Sequence, residues 1–538
     1  MKLSDNLRRR GWRKSILGDH IALSNGKGIT SSQMEADKPI PVYGSGSIIG
    51  YTDKPLVFYD TIVIGRVGAC GTVQIAKAPC WISDNAMYVT QIKPRLDFHF
   101  LFFLLNYLRL GTLVSRTTQP SLPQGPILNH DFPLPPLPVQ ERIVQILQKA
   151  DEIRRKRKEA LELADKVLPA LFLEMFGDPA TNPKGWPTEP IGALVHFDTA
   201  QIKPKPGETY LYLAPEHIES NTGNYTGPHP TDGREIGSAK HPFTSEHVLY
   251  CKLRPYLNKV VLPHTSGICS TELVPLRPGP KFLREFLGIY LRLPFFVATA
   301  VQKSQGTKMP RFGPELMKRE EMIVPPIPLQ QSFCLQVSQL MEVSKRVNEG
   351  LSLSCSSFNG LLSRAFTGEL TAEWEAANAG WIAAQQTLYE RLPRLLILAL
   401  IAEKAKRARR SAEVLVTALM KYVFLFQMEG SASHRRLYHF VPYLYGPFAK
   451  ELYIDLEKLQ EEGLVQVESN PEEDKMKITL TDQVRMEALL AELPEDLKED
   501  AATVISTYGE LDHNSLLEVV YEKYPAYAKK SRLRQRRA

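Results

Sequence analysis

Little in this chain announces chemistry. Its 538 residues hold only six cysteines, Cys70, Cys80, Cys251, Cys269, Cys334 and Cys355. None forms a C-x-x-C pair or stands at a zinc-like spacing from histidine, so buried free thiols are expected and a metal site is not. No stretch reaches the roughly 18 apolar residues that span a bilayer, and Leu395 to Ala402 is far too short. The first residues carry Arg8, Arg9 and Arg10 without the apolar segment of a secretory signal, so a cytoplasmic protein is expected. The phosphate loop G-x-x-x-x-G-K-[ST] and the zinc helix H-E-x-x-H are missing. Gly65-Arg66-Val67-Gly68-Ala69-Cys70-Gly71 is glycine-rich but lacks the G-x-G core, and it reads as a strand-turn-strand. Asp474 and Lys475, in an expected turn, give weak support to a nuclease centre. The net charge of +7, from 66 basic and 59 acidic residues, permits an anionic partner without requiring one. These absences favour a binding protein over an enzyme.

What the chain does have is a repeat. Pro135-Pro136-Leu137-Pro138-Val139-Gln140 returns as Pro325-Pro326-Ile327-Pro328-Leu329-Gln330, and the same offset carries Phe176 onto Phe366 without a gap. The prolines restrict the residues before them to extended backbone, so a helix is expected to begin only beyond them. In the first copy the apolar residues Ile143, Leu147, Ala150, Leu161, Ala164, Leu168, Leu171 and Met175 alternate in steps of three and four wherever Arg154 and Arg157 do not interrupt. Phe333, Val337, Leu340, Val347, Leu351, Phe358, Leu361 and Ala365 fall at the same phases in the second, with Ser344 and Ser354 as polar gaps. Such seams are those of a coiled coil. Gly177 and Gly368 stand where left-handed caps belong. About 38 residues at 1.5 Å each make a rod of roughly 55 Å. Two unrelated amphipathic helices in a helical core are the plainer alternative, and an ungapped repeat with matching prolyl starts argues against it. The two helices are expected to pack on each other, antiparallel, and to hold apart the units that precede them.

The rest divides around them. Residues 1–138 read as one α+β unit, 139–177 as the first spacer helix, 178–328 as a second α+β unit and 329–368 as the second spacer helix. In the first unit, strand-like runs are Pro41 to Tyr43, Leu56 to Tyr59, Thr61 to Arg66, Thr72 to Ile75 and Ala86 to Val89, before a buried helix near Phe100. In the second they are Thr209 to Leu213, His247 to Leu253 and Asn258 to Leu262, before a helix from about Phe282 to Tyr290. Gly11-Trp12 matches Gly185-Trp186 at a smaller offset than the long helices, so the second unit is the longer. Residues 369–391 read as a linker and 392–538 as a mainly helical, winged-helix-like domain: helices near Leu392 to Ala405, Ala412 to Phe426 and Phe448 to Glu461, then a hairpin of Gly463 to Val467 with Met476 to Leu480. A basic tail closes it, with Lys529, Lys530, Arg532, Arg534, Arg536 and Arg537; it reads as a solvated tail, with loose polyanion contact as the sharper alternative.

Taken together, these features resemble a known family. Two dissimilar α+β units, each followed by P-P-[LI]-P-x-Q and a long helix, are similar to the specificity subunit of type I restriction-modification systems. Further landmarks are Glu174-Met175-Phe176-Gly177-Asp178-Pro179, Asn182-Pro183-Lys184-Gly185-Trp186, Lys252-Leu253-Arg254-Pro255-Tyr256-Leu257-Asn258-Lys259, Cys269-Ser270-Thr271-Glu272, Gly306-Thr307-Lys308-Met309-Pro310 and Ala365-Phe366-Thr367-Gly368-Glu369-Leu370. They cover residues 1 to about 374. The resemblance implies two target-recognition domains for a bipartite double-stranded DNA target, held apart by the helix pair, in a cytoplasmic host-defence complex. It implies a chain without catalysis or cofactor of its own: methyltransferase subunits, two per chain, would hold S-adenosylmethionine, and ATP- and magnesium-dependent restriction subunits would complete the assembly. Thr181-Asn182-Pro183-Lys184 is superficially like the Asn-Pro-Pro-aromatic loop of amino-methyltransferases, but Lys184 stands in place of the second proline and does not support that activity. From Tyr438-His439-Phe440 and Tyr445-Gly446-Pro447-Phe448 the last domain resembles, more weakly, antitoxin-like winged-helix domains of the Panacea type. A stand-alone DNA-binding regulator or antitoxin acting through that domain is the alternative reading.

Bases are read by Arg, Lys, Asn and Gln, while Lys, Ser and backbone amides hold phosphates. On that ground Ser45, Ser47, Arg66, Asn85, Gln119 and Ser121 are the expected DNA contacts of the first unit. In the second they are Lys203, Lys205, Lys252, Arg254, Tyr256, Asn258, Lys308 and Arg311. Asn85 and Ser121 could equally make turns, and Arg254-Pro255-Tyr256 could be structural. Arg154 and Arg157 are expected to snorkel or to meet a partner.

Overall fold

A computed structural model describes residues 5–115, 120–407, 413–430, 437–470 and 475–528. The chain divides into two compact units, Met1–Glu152 with Ser356–Ala538, and Ile153–Cys355. The long helices, Leu137–Phe176 and Ile327–Phe366, contribute one end to each unit. Each begins one residue before Pro138 or Pro328, not beyond them, because a first-turn proline forgoes only an N–H that has no helical partner. Gly177, directly after the first helix, and Gly368, one residue past Thr367 after the second, both have φ of +78°, the left-handed cap read from the sequence.

In the unit Ile153–Cys355, one antiparallel sheet orders Val195–Phe197, Leu273–Pro278, Val248–Cys251 and Val260–Val261. A second holds His229–Asp232, Thr209–Leu213, Gly267–Cys269 and His241–Phe243, with a parallel pairing of Thr209–Leu213 with Gly267–Cys269. Thr188–Pro190 pairs with Glu321–Ile323. Helix Arg284–Tyr290 sets the Phe286 ring 5.4 Å from Phe176 and 5.9 Å from Phe333. Phe172 lies 5.7 Å from Phe333, while Arg157 donates to the Gly350 carbonyl and to Ser354 Oγ. Later residues of one helix thus meet earlier residues of the other, so the two run antiparallel here, and Arg157 and Ser354, both interruptions of the apolar pattern, answer each other. Gln330 explains the repeated glutamine. Buried completely, it gives its amide to the carbonyls of Lys281 and Pro325 at 2.9 and 2.8 Å and accepts the Leu283 N–H at 3.0 Å. A buried amide with all these partners fixes the angle at which the helix leaves the domain.

The unit Met1–Glu152 with Ser356–Ala538 repeats the plan. Its main sheet orders Ile21–Asn25, Ala86–Ile92, Thr61–Gly65 and Val73–Ala76, antiparallel throughout. A smaller one joins Ile48–Thr52, Ile40–Tyr43 and Trp81–Ile82, the last pair parallel. Arg13–Ile16 pairs with Asp131–Leu134. Leu56 to Tyr59, expected as a strand, makes only a single bridge from Val57 to Cys80. Helix Phe98–Tyr107 packs Phe100 at 5.3 Å and Tyr107 at 4.9 Å from Phe366. Gln140 is buried like its counterpart, bonded to the carbonyls of Arg95 and Pro135 at 2.9 Å each and to the Asp97 N–H at 2.8 Å. Val139, Ile143, Val144 and Leu147 share one core with Phe358, Leu362, Ala365 and Phe366.

Residues 369–391, expected as a linker, are helical: Ala372–Ala377, then the first part of Ala379–Arg407. Their alanines, glutamates and glutamines are strong helix formers, and Trp374 and Ile382 pack on the first domain's core. Buried Glu375 accepts hydrogen bonds from Arg10 Nε at 2.8 Å, Trp12 Nε1 at 3.1 Å and Thr371 Oγ1 at 2.6 Å. Tyr389 donates to Glu141 at 2.7 Å and Gln386 accepts the Leu137 N–H at 3.2 Å. Beyond it come helices Val416–Glu429 and Lys450–Glu461, a hairpin of Val465–Asn470 with Lys475–Leu480 flanked by Val414–Leu415, and three further helices, Gln483–Leu490, Glu495–Tyr508 and His513–Lys523. Lys421, almost wholly buried in this part, is brought down to about 7 by loss of solvation. No helix among the described residues is long and apolar enough to cross a membrane.

Candidate nucleic-acid interface

In each of the two α+β domains, one end of the central strand gathers three loops. In the first domain the strand Thr61–Gly65 runs out into Arg66. The Arg66 N–H donates to the Asn85 carbonyl at 2.9 Å, the Leu122 N–H donates to the Arg66 carbonyl at 2.9 Å, and the Ser115 N–H donates to the Ser121 carbonyl at 2.9 Å. In the second, Val248–Cys251 runs out into Lys252. The Lys252 N–H donates to the Glu272 carbonyl at 3.0 Å, the Phe312 N–H to the Lys252 carbonyl at 2.9 Å, and the Gln305 N–H to the Arg311 carbonyl at 3.0 Å. The backbone frame is the same in the two domains. Arg66 corresponds to Lys252, Asn85 to Glu272 and Ser121 to Arg311.

This frame brings many of the expected residues together. Ser45, Arg66, Asn85 and Ser121 meet at one rim: Thr72 Oγ1 donates to the Ser45 carbonyl and Arg66 Nη1 donates to the Asp84 carbonyl at 3.2 Å. Ser47 lies exposed in the turn with Ser45. Gln119 falls outside the described residues, as do Asp474 and the basic tail. At the second rim, Lys252, Arg254, Tyr256, Lys308 and Arg311 gather, with Arg254 and Lys308 exposed and Tyr256 51% exposed. Arg254 and Asn258, at φ of +52° and +48°, are both left-handed and frame the turn that displays Tyr256. Asn258 itself is occupied internally, its Nδ2 donating to the Arg292 carbonyl at 3.0 Å. Lys203 and Lys205 stand apart, beside the Thr209 end of the strand Thr209–Leu213, whose other end bonds Ser270 next to the Glu272 loop.

Glu272 was missed as a site residue in the sequence, because an acid in a basic neighbourhood looks like charge balance. Its carboxylate grips Arg311 from Nε at 3.2 Å and from Nη2 at 3.0 Å, which pushes the guanidinium still further above its ordinary range. The thiols nearby are inert. Burial pushes Cys251 up to about 11 and Cys269 up to about 12, and Cys80 in the first domain up to about 12. All six cysteines are free; Cys80, Cys251 and Cys269 are buried, the other three half-buried.

The opposite end of the first domain's strands is covered. Tyr59, Asp60, Lys77 and His99 line a cavity of about 620 Å³ with Phe424 and Tyr438 of the C-terminal part. The rim carrying Arg66 and Asn85 lies at the far end of the same strands.

Residues 9–163 match the family model of the type I restriction modification DNA specificity domain. The chain is 32% identical over 181 residues to the EcoDI specificity subunit of Escherichia coli, a match covering 33% of this chain and 40% of that protein. It is 22% identical over 347 residues to the MjaIX specificity subunit of Methanocaldococcus jannaschii, covering 58% of this chain and 78% of that one. Among solved structures it is similar to a type I restriction-modification S subunit from M. genitalium, at 17% identity and a TM-score of 0.44, over 68% of this chain and 98% of the other. The chain thus spans about two fifths of the length of the first of these curated relatives, and the family model matches its first domain and the first part of the long helix.

Proposed function

We propose that this chain is the DNA-specificity subunit of a type I restriction-modification complex. The observation that carries the reading is the duplicated backbone frame: the domain that matches the specificity-domain family has a counterpart with the same hydrogen-bonded rim and different side chains on it. One scaffold with two sets of reading residues suits a bipartite target. The long helices, 40 residues each, are in this reading the spacer that sets the gap between the half-sites, roughly 60 Å of rod at 1.5 Å per residue. Their antiparallel coiled-coil pairing along the whole length belongs to the same proposal. Ser45, Ser47, Arg66, Asn85, Gln119 and Ser121 on one rim, and Lys252, Arg254, Tyr256, Lys308 and Arg311 on the other, are the proposed DNA contacts. Methyl transfer from S-adenosylmethionine and ATP-driven restriction fall to partner subunits, and this chain directs them without catalysis of its own. The C-terminal part is proposed to be a winged-helix domain of the Panacea type, docked away from the reading rim of the first domain.

The test is a comparison of methylated bases in the host genome with and without this gene. Loss of one bipartite motif on deletion, and copurification of the chain with methyltransferase subunits, support the proposal. An unchanged methylome sinks it. Removing one heptad from both long helices is expected to change the gap and leave both half-sites intact.

A further inference from the structure

The two rims share a frame yet differ in one chemical respect. At the equivalent places the first domain has Asn85 and Ser121, both uncharged, and the second has Glu272 and Arg311, joined side chain to side chain. A carboxylate amid Lys252, Arg254, Lys308 and Arg311 opposes the phosphate attraction that the basic residues create, so its presence on a DNA-facing rim calls for a specific use. Its scaffold role is discharged by its backbone carbonyl, which any residue supplies.

The side chains of the pair keep 43% exposure at Arg311 and 24% at Glu272. Arg311 spends Nε and one Nη2 hydrogen on Glu272, and Nη1 reaches the Met309 carbonyl only at 3.4 Å. A guanidinium has five N–H donors and a carboxylate about four acceptor positions, so donors remain on one partner and lone pairs on the other. The ion pair holds the fork in place before DNA arrives, which lowers the cost of ordering it on binding.

We propose that Glu272 and Arg311 together read a single G·C base pair in the major groove of the half-site bound by the second domain. Guanine offers adjacent N7 and O6 acceptors, which suit the arginine fork, and its cytosine partner offers the N4 amino donor, which suits the carboxylate. A donor group and an acceptor side by side on the protein meet acceptors and a donor side by side on one base pair. This inference rests on the DNA-specificity reading above and names which residues carry the second half of it.

The experiment maps methylation in a host deleted for this gene and complemented with the full chain, as wild type, Glu272→Gln or Arg311→Lys. Glu272→Gln keeps the shape and places an amide donor beside the cytosine amino group; Arg311→Lys keeps the charge and removes the fork. Both variants are expected to lower the preference for G·C by ~10-fold at one position of one half-site, leaving the other half-site and the gap unchanged. Melting of the purified chains accompanies the mapping, and Arg311→Lys decides should Glu272→Gln disturb the loop. The inference is overturned by a motif unchanged in both variants, by a half-site with no G·C position that weakens, by a shift in the other half-site, or by wholesale loss of methylation in folded chains. If the wild-type gene restores no bipartite methylation, it is the specificity reading itself that has failed.

Discussion

The two α+β domains differ most where they are most alike in backbone. Both hang on a buried glutamine, Gln140 or Gln330, and both seal the joint with a phenylalanine and a left-handed glycine from the end of the other helix. Both carry the same three-loop rim. Yet the anchoring of their tryptophans differs. Trp186 Nε1 donates to the Phe176 carbonyl at 2.9 Å, a partner at the end of the helix just before it in sequence. Trp12 Nε1 donates to the carboxylate of Glu375, more than three hundred residues away. The second domain is therefore closed by local chain, and the first depends on the helical segment beyond Phe366. Joints are kept because packing and buried hydrogen bonds punish change, whereas rims face solvent and are free to vary.

The largest effect expected on this comparison comes from the aromatic joint. Phe333→Ala, which empties the space among Phe172, Phe176 and Phe286, should cost about 4 kcal/mol, and Ile143→Ala, the equivalent place in the first unit, about 3 kcal/mol in chemical denaturation. A negligible cost at Ile143 would break the equivalence of the joints. Next is Glu375→Ala, which strands the half-buried Arg10 guanidinium and the buried Trp12 indole N–H and should cost about 3 kcal/mol. Limited proteolysis should then open the first domain and spare the second; equal opening of both would contradict the asymmetry. Gln140→Leu and Gln330→Leu should each cost about 2 kcal/mol, since each leaves one N–H and two carbonyls without their partner. The smallest is Gly177→Ala. At φ +78°, with a Cβ placed 2.7 Å from Pro183 Cγ, about 1 kcal/mol is expected in thermal melting.

Much of the joint was legible in the sequence because it is periodic or repeated. The seam positions Ile143, Leu147, Phe333, Val337 and Phe358 are buried, and Ala150, Leu161, Leu168, Leu171, Leu340, Val347, Leu351 and Leu361 are half-buried. The short strands were harder. Arg13–Ile16 and Asp131–Leu134 form a ribbon from segments over a hundred residues apart, and neither alternates strongly enough to be seen alone. Leu56 to Tyr59 has the composition of a strand but no continuous partner. Residue type alone names Arg66 and Lys252, which fall on the rims, but also Lys205, which stands apart, and Asn258, whose amide is spent on the Arg292 carbonyl. It overlooked Glu272, whose meaning depends on Arg311 thirty-nine residues later.

By itself the sequence determined the duplicated helices, their prolyl starts and glycine caps, and the presence of two unlike segments, one before each helix, because these are written in local spacing that every copy must repeat to bury an apolar stripe. Tertiary structure alone decided which side chains share a rim, and that the first domain is closed by residues beyond the second helix. Hydrogen bonds between distant loops depend on register and distance in space, and no local pattern of residues encodes either.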